Sequence, residues 1–355
     1  MKANITFGVI GRINKSLFDG QTVKTRTLTT ALKNYCPDCK ILVAESSLCR
    51  KNPLRMLKQV FDCVRKADVI FVLLSRNGLR IILPILFLLN RIYKKPVIHD
   101  CIGGIHHETI GQYPWLKKYY RKMAVNWVET ESMKRKLEQT GLTNVAVLPN
   151  FKNVRAISLE GVERKETAPF QFCTFSRVNE AKGIGRAAEA VLVINQAAGY
   201  QAATLHVYGP IEDNFDTKLN DYINQSQGAI AYCGVADPDS SVELLQKYYG
   251  MLFPTTYKGE GFPGTLIDAF SAGLPVIATD WHYNAELIDH GKTGFIYDPV
   301  QPEQLRKWME YAISHPEEFH AMRFSCLNAV RQYSTESAMQ TVCGQIRQLL
   351  ADKGR

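Results

Sequence analysis

Glycines and acidic side chains concentrate in one segment, residues 258–276, with a spacing that suits a polar, anionic ligand. Gly259, Gly261 and Gly264 form a loop that runs into a predicted helix over residues 265–272. The first backbone N–H groups of a helix have no partner inside it, and the helix dipole favours negative charge there. We therefore expect a phosphate at the start of this helix. The amides that would contact it are those of Gly264, Thr265 and Leu266.

Two carboxylates accompany that helix start. Glu260 lies in the loop, and Asp268 lies one turn into the helix on the face that carries Thr265. One carboxylate before the helix and one inside it could bind two different hydroxyl clusters of a sugar nucleotide. A glycine-rich loop before a helix is also ordinary turn chemistry, and spacing alone leaves that alternative open.

The elements around this segment alternate between short apolar runs and helical patterns. Such alternation predicts an α/β fold with parallel sheets and crossover helices. The pattern occurs twice, in residues 1–150 and 151–330, around a polar connection at 149–169, and a helical region follows at 331–355. The predicted strands are Ile5–Ile10, Ile41–Ala44, Val69–Leu74, Pro96–His99, Asn126–Glu129, Val145–Leu148, Phe172–Phe175, Leu205–Tyr208, Ile230–Tyr232, Met251–Pro254, Val276–Ala278 and Gly294–Tyr297.

The composition is that of a globular protein with an uneven distribution of charge. The chain has 355 residues, of which 46% are hydrophobic and 22% charged, which excludes disorder for the chain as a whole. Residues 1–150 contain 25 Lys and Arg against 10 Asp and Glu, a net charge of +15, whereas the remainder carries −6. A basic first half indicates an anionic partner: membrane lipid, a phosphorylated acceptor or nucleic acid. A solvated basic surface is the alternative.

The most apolar stretch is Leu79–Ile92, which is shorter than the ~20 residues that cross a bilayer. It fits a buried helix on a sheet or, because basic residues flank it, a helix at a membrane surface. We expect no secretory signal at the N-terminus, and the nine cysteines then indicate reduced thiols in a cytoplasmic protein.

Segment 258–276 resembles the E-x7-E motif of retaining glycosyltransferases of family four. Asp268 stands eight positions after Glu260, where the second glutamate of the motif is usual. The residues that match the motif are Glu260, Gly261, Phe262, Ala269, Ala272, Gly273, Pro275 and Val276.

This resemblance implies the GT-B fold, in which two Rossmann-like lobes with parallel sheets have a cleft between them. Residues 1–150 would form the acceptor lobe and residues 151–330 the lobe that binds the nucleotide sugar. The C-terminal region, residues 331–355, would be a helix that packs back toward the first lobe.

A second block, Phe175–Gly183, resembles the family's G-R-x(3,4)-K-G pattern, with Ser176 where glycine is common. The resemblance implies that Arg177 and Lys182 neutralise the donor diphosphate and stabilise it as a leaving group. It also places a histidine near the sugar, and which histidine of residues 99–107 this is stays open. The implied catalytic residues are Glu260, Arg177, Lys182 and His106. The implied donor contacts are Gly20, Ser176, Gly209, Phe262, Gly264, Thr265, Leu266 and Asp268.

The resemblance implies transfer of a hexose, with retention, from a nucleotide-diphosphate sugar (a UDP-sugar) to a glycan or polyprenyl-linked acceptor. It implies no need for a metal or a cofactor, and no aromatic-basic motif indicates a nucleic-acid partner. A non-hydrolysing sugar-nucleotide epimerase of the same fold and a catalytically silent nucleotide-sugar-binding protein remain alternatives.

We also expect peripheral contact with an anionic membrane, at the inner face of the plasma membrane, through a basic cluster in the first half. This cluster consists of Lys117, Lys118, Arg121 and Lys122.

Overall fold

The computed structural model describes residues 5–14, 20–154, 157 and 167–352. The chain folds into two compact units. Most of the predicted connection at 149–169 lies outside the described residues. The first unit comprises Met1–Asn153 and Tyr333–Arg355, and the second comprises Val154–Gln332.

The first unit contains a six-stranded sheet in the order β2-β1-β3-β4-β5-β6, in which all pairings are parallel. The register places Phe7 opposite Ile41 on one side and Val69 on the other. The strands are β1 (Thr6–Gly11), β2 (Lys40–Glu45), β3 (Val69–Leu73), β4 (Val97–Asp100), β5 (Val125–Val128) and β6 (Val145–Val147). The helices are α1 (Gly20–Tyr35), α2 (Leu48–Lys51), α3 (Pro53–Lys66), α4 (Arg76–Tyr93), α5 (His106–Gln112), α6 (Lys117–Tyr120), α7 (Glu131–Glu138) and the C-terminal helix (Thr335–Asp352).

The second unit repeats this architecture with a sheet in the order β12-β11-β10-β7-β8-β9, again parallel. Its strands are β7 (Phe170–Phe175), β8 (Ala203–Tyr208), β9 (Ile230–Tyr232), β10 (Gly250–Phe253), β11 (Val276–Thr279) and β12 (Gly294–Tyr297). Its helices are α8 (Ile184–Ala198), α9 (Asp216–Gln225), α10 (Ser241–Leu245), α11 (Gly264–Ser271), α12 (Asn284–Leu287), α13 (Glu303–Ser314) and α14 (Pro316–Ala329). The prediction of two α/β halves with parallel sheets is confirmed.

Central strands are buried on both faces, because helices cover both sides of a parallel sheet. Strand β3, with the sequence VIFVL, is buried at all five positions, which explains its continuous apolar run. On one face of the first sheet, α1 packs against the C-terminal helix through Leu28 and Leu32. The apolar stripe of the C-terminal helix joins that core, as its helical spacing predicted. Its residues are Ala338, Met339, Val342, Cys343 and Ile346.

The apolar stretch Leu79–Ile92 forms most of α4, which continues through Pro84. Just after the helix ends at Tyr93, the Asn90 side-chain amide donates to the Lys95 carbonyl and accepts from the Lys95 amide. One face of α4 is buried, and its buried apolar residues are Leu79, Ile82, Leu83, Leu86 and Phe87. Within the described part of the chain, every helix is too short or too polar to cross a membrane.

Candidate active site

The predicted site residues of the second unit come together at the carboxyl ends of two neighbouring strands. β7 is followed by Arg177 and by a short turn, Glu180–Lys182, that leads into α8. β10, which pairs with β7, is followed by the loop that carries Glu260. Parallel strands end at the same edge of a sheet, and ligands of α/β proteins bind at that edge. The Lys182 ammonium consequently lies 2.5 Å from the Glu260 carboxylate, and both side chains are buried.

This pairing depends on a close approach of two backbones at Gly183. Gly183 has a φ of +73°, and a Cβ at this position would lie 2.1 Å from the Pro254 carbonyl oxygen. Only glycine combines this left-handed conformation with such a close approach. The contact holds the turn that carries Lys182 against the end of β10.

The loop between β10 and α11 holds Glu260 in place. The Thr255 hydroxyl donates to Glu260 Oε2 at 2.9 Å, and the Thr255 carbonyl accepts from Thr279 Oγ1 at 2.6 Å. The Trp281 indole N–H donates to the Tyr257 carbonyl at 2.9 Å. Because these partners are buried or anchored on β11, the carboxylate of Glu260 has a fixed position.

Arg177 contacts the same loop through Tyr257. Its guanidinium is 4.7 Å from the centroid of the Tyr257 ring and 3.2 Å from the Glu212 carboxylate. The Lys182 ammonium lies 5.0 Å from the same Tyr257 ring. Burial opposes the charge of Arg177, but the Tyr257 hydroxyl and the Glu212 carboxylate outweigh it, so the pKa of Arg177 is raised. Two cations therefore share one aromatic ring beside a buried carboxylate.

Helix α11 begins next to Glu260, as the glycine-rich loop predicted. It starts at Gly264, one residue earlier than expected. The Leu266 amide donates to the Pro263 carbonyl at 3.1 Å, so the amides of Gly264 and Thr265 are better placed to contact an anion. Phe262 and Asp268 are both buried, the first in the loop and the second inside the helix.

Gly209 and Ser176 lie against each other at the ends of β8 and β7. Gly209 has a φ of +135°, and a Cβ there would lie 1.7 Å from the Ser176 carbonyl oxygen. The Ser176 amide donates to the Tyr208 carbonyl at 3.1 Å. The two backbones thus approach more closely than a residue with a Cβ would allow at position 209.

Residues 169–315 match the model of the family described as Glycosyl transferases group 1. The match spans the strand ends, cations and carboxylates just described, from Arg177 to Asp268. The matched residues lie within the second unit.

Curated relatives align over parts of the chain. D-rhamnosyltransferase WbpZ of Pseudomonas aeruginosa is 30% identical over 107 residues, which are 30% of this chain and 28% of the relative. Amylovoran biosynthesis glycosyltransferase AmsK of Erwinia amylovora is 28% identical over 132 residues, 36% of this chain and 32% of the relative. The aligned segments span about a third of the length of these relatives.

A solved structure extends the likeness to both units. Alr3699/HepE of Anabaena, crystallised with UDP-glucose, superposes with a TM-score of 0.74 over 98% of this chain and 100% of that one. The sequences are 14% identical, so the likeness shows the fold. The chain has the GT-B fold, as the E-x7-E motif implied.

Two further predicted residues, Gly20 and His106, belong to the other unit of this GT-B chain. Gly20 is the first residue of α1. His106 is buried at the start of α5, where its ring nitrogens contact the Tyr120 hydroxyl at 2.7 Å and the Ile102 carbonyl at 3.1 Å. The second unit itself brings together Arg177 and Lys182 with Glu260.

One group of possible metal ligands occurs among the described residues. His99, Cys101 and His106 are buried, with ligand atoms within 4.8 Å of one another. Both nitrogens of His106 and the Nδ1 atom of His99 already have hydrogen-bonding partners, the latter being Asn126. A metal ion at this group would have to replace these bonds.

The two buried histidines predict a loss of stability in acid. Burial lowers the pKa of His99 to about 3 and that of His106 to about 4, against a value of about 6.5 in an unfolded chain. The unfolded chain therefore binds more protons below pH 6.5, and the stability present above that pH is lost as the pH falls toward 4. Urea unfolding at pH 7.5 and 5.5 should show a decrease of about 1.4 kcal/mol per histidine in the free energy of unfolding.

Two variants test whether the buried histidines cause this loss of stability. His106→Asn should reduce the difference between the two pH values by about half. His315→Asn, at an exposed position of the second unit, should leave it unchanged. Equal free energies of unfolding at both pH values in the wild-type protein would contradict the expectation.

Sequence reasoning did not identify two residues that contact the cations, Tyr257 and Glu212. The sequence feature that could have identified Tyr257 is its position three residues before Glu260, at the start of the glycine-rich loop. Glu212 follows β8 and lies 35 residues from Arg177, so no local spacing connects them.

Proposed function

We propose that this protein is a glycosyltransferase that moves a hexose, with retention at the anomeric carbon, from a nucleotide-diphosphate sugar to a glycan or polyprenyl-linked acceptor. One observation carries the proposal. The buried pair of Lys182 and Glu260, with Arg177 beside it, lies at the loop that leads into α11. The site thus combines charges for a diphosphate with a carboxylate for sugar hydroxyls.

In this proposal the donor diphosphate contacts Arg177, Lys182 and the first amides of α11. The two positive charges and the helix dipole stabilise the negative charge that develops as the diphosphate leaves. We propose that these groups do so without a metal ion. UDP is the first nucleotide to test, because the structurally similar HepE was crystallised with UDP-glucose.

The other predicted residues take supporting roles in the proposal. Glu260 accepts hydrogen bonds from sugar hydroxyls, and Asp268 holds the ribose. Gly209 and Ser176 lie beneath the nucleobase. The acceptor hydroxyl attacks from the face that the diphosphate leaves, and its proton passes to a phosphate oxygen.

Two measurements separate this proposal from its alternatives. A panel of nucleotide sugars and nucleoside diphosphates, read by thermal unfolding, identifies the donor because a ligand of the folded state raises stability. Release of nucleoside diphosphate should then require an acceptor. Conversion of the donor without an acceptor would indicate an epimerase, and binding without turnover across a panel of acceptors would indicate a silent binding protein.

We further propose that the first unit meets an anionic membrane that carries the acceptor, at the cytoplasmic face. The outer face of α4 exposes Ile81, Leu88 and Ile92, whose exposed fractions are 52%, 63% and 78%. The rings of Phe87 and Tyr119 stack at 5.6 Å, which places the basic cluster of residues 117–122 beside this helix. Apolar side chains next to cations suit the boundary between headgroups and acyl chains.

Cosedimentation with liposomes tests this surface. Binding should require anionic lipid and weaken as salt is added, since each basic residue near the surface contributes about 1 kcal/mol. Changing Leu88 and Ile92 to Ser, or the four basic residues to Gln, should reduce the bound fraction severalfold. The basic residues are Lys117, Lys118, Arg121 and Lys122.

The matched control is Phe324→Ser, which removes an exposed apolar residue from the second unit. It should bind as the wild type does. Wild-type protein that stays in the supernatant at low salt would refute membrane contact and point to a soluble acceptor.

A further inference from the structure

Tyr257 is placed where both cations of the proposed donor site contact one ring. The Arg177 guanidinium carbon lies 4.7 Å and the Lys182 ammonium 5.0 Å from the ring centroid. Each cation also has a carboxylate partner, Glu212 for the first and Glu260 for the second. Tyr257 thus contacts both cations without carrying a charge.

The loop fixes the ring by its backbone and by close packing. The Tyr257 amide donates to Thr255 Oγ1 at 3.2 Å, and its carbonyl accepts from the Trp281 indole at 2.9 Å and from the Glu260 amide at 3.1 Å. Gly259 packs on the ring, since a Cβ there would lie 2.8 Å from its Cε1 atom. The position of the ring is therefore set by the same loop that positions Glu260.

We propose that Tyr257 is a positioning residue that holds Arg177 and Lys182 together for the donor diphosphate; this role rests on the proposed function. The face of an aromatic ring carries partial negative charge and attracts cations. The ring therefore offsets part of the repulsion between two neighbouring positive charges. Unlike Glu212, it brings no net negative charge that would compete with the diphosphate for Arg177.

Substitutions at Tyr257 separate the ring from the hydroxyl. Tyr257→Leu removes the ring, and we expect the Kd for UDP, measured by calorimetry, to rise about tenfold because two cation–π contacts are lost. Tyr257→Phe and Tyr257→Trp keep an aromatic face and should stay within about threefold of the wild type. The Kd for uridine, which lacks the phosphates, should be the same in all four proteins.

The uridine measurement distinguishes positioning of the cations from a structural role, because a distorted loop would weaken both ligands. Tyr257 is partly exposed, so Tyr257→Leu should fold, and thermal unfolding without ligand checks this. Tyr200→Leu, at an exposed turn of the same unit, is the matched control and should bind UDP normally.

Three results would overturn the inference, and only one of them would also overturn the proposed donor site. Equal UDP affinity in the wild type and Tyr257→Leu would refute the role of the ring and leave the donor site standing. A parallel loss of UDP and uridine binding would assign Tyr257 a structural role. A wild-type protein that binds no nucleoside diphosphate would overturn the donor site and this role with it.

Discussion

Replacing Lys182 by alanine should lower kcat/KM for the donor by roughly 30- to 1,000-fold, which corresponds to about 2–4 kcal/mol of transition-state stabilisation. Lys182 is buried, so solvent screens its charge little. Its removal also leaves the buried Glu260 carboxylate without its cationic partner. Steady-state kinetics over donor concentration, with acceptor in excess, measure the loss.

A matched control exists in the same unit. Lys218 forms an exposed ion pair with Glu180 at 2.7 Å, and exposed pairs contribute little. Lys218→Ala should therefore retain the kinetics of the wild type. If Lys182→Ala also retained them, Lys182 would have no part in catalysis, and the assignment of the donor site would be wrong.

A double variant tests whether Lys182 and Glu260 act as a unit. Glu260→Gln alone should also lower kcat/KM, because it weakens a contact to the sugar and leaves Lys182 less well paired. If the two residues are coupled, the double variant Lys182→Ala with Glu260→Gln should lose less than the product of the single losses. A fully multiplicative loss would show that they act independently.

Much of the fold could be predicted because it depends on local patterns. Buried parallel strands are continuous apolar runs, so β10 and β11 were predicted within two residues of their observed bounds. The alternation of these strands with helices then predicted parallel sheets. The break in the pattern near residues 149–169 separated two halves, although the sequence alone did not give the sheet order of either one.

The candidate site was predictable to the extent that its residues follow strand ends. Lys182 and Glu260 lie 78 residues apart, yet both lie in the loops that follow neighbouring strands of one sheet, so their meeting follows from the topology. The contacts of Tyr257 and Glu212 with Arg177 depend on the conformations of two loops. No periodicity in the sequence indicates these conformations. The roles of these residues toward a donor remain predictions.

A buried ion cluster in the first unit was not predicted at all. Lys24 lies on α1, 2.8 Å from Asp100 and 2.7 Å from Glu129, and all three side chains are buried. Asp100 ends β4, and Glu129 directly follows β5, 105 residues from Lys24. From the sequence alone, a lysine inside a helix is expected to be exposed to solvent, because lysine is almost never buried unless it is paired. The packing of α1 against the strand ends instead buries Lys24 beside the two carboxylates.

Replacing Lys24 by methionine should therefore lower the free energy of unfolding by about 3–5 kcal/mol, since it leaves two buried carboxylates without their cation. Methionine keeps most of the side-chain volume, so the loss reports the charge rather than a cavity. Burial opposes the charge of Lys24, yet the two carboxylates outweigh it and raise the pKa of Lys24, which indicates that the pair of acids holds the ammonium charged. Urea unfolding at pH 7.5 measures the loss.

The pH dependence of this loss identifies its cause. Burial already raises the pKa of Asp100, and removal of the Lys24 charge should raise it further. A carboxyl group whose pKa is raised in the folded state stabilises that state at low pH and loses this contribution as the pH rises through its folded pKa. The difference in the free energy of unfolding between Lys24→Met and the wild type should consequently shrink as the pH falls from 7.5 toward 5.

Lys33→Met, at an exposed position of the same helix, should unfold as the wild type does at every pH. A constant difference over this range would show that Lys24 contributes by packing, and no difference at all would show that α1 does not need this ion cluster.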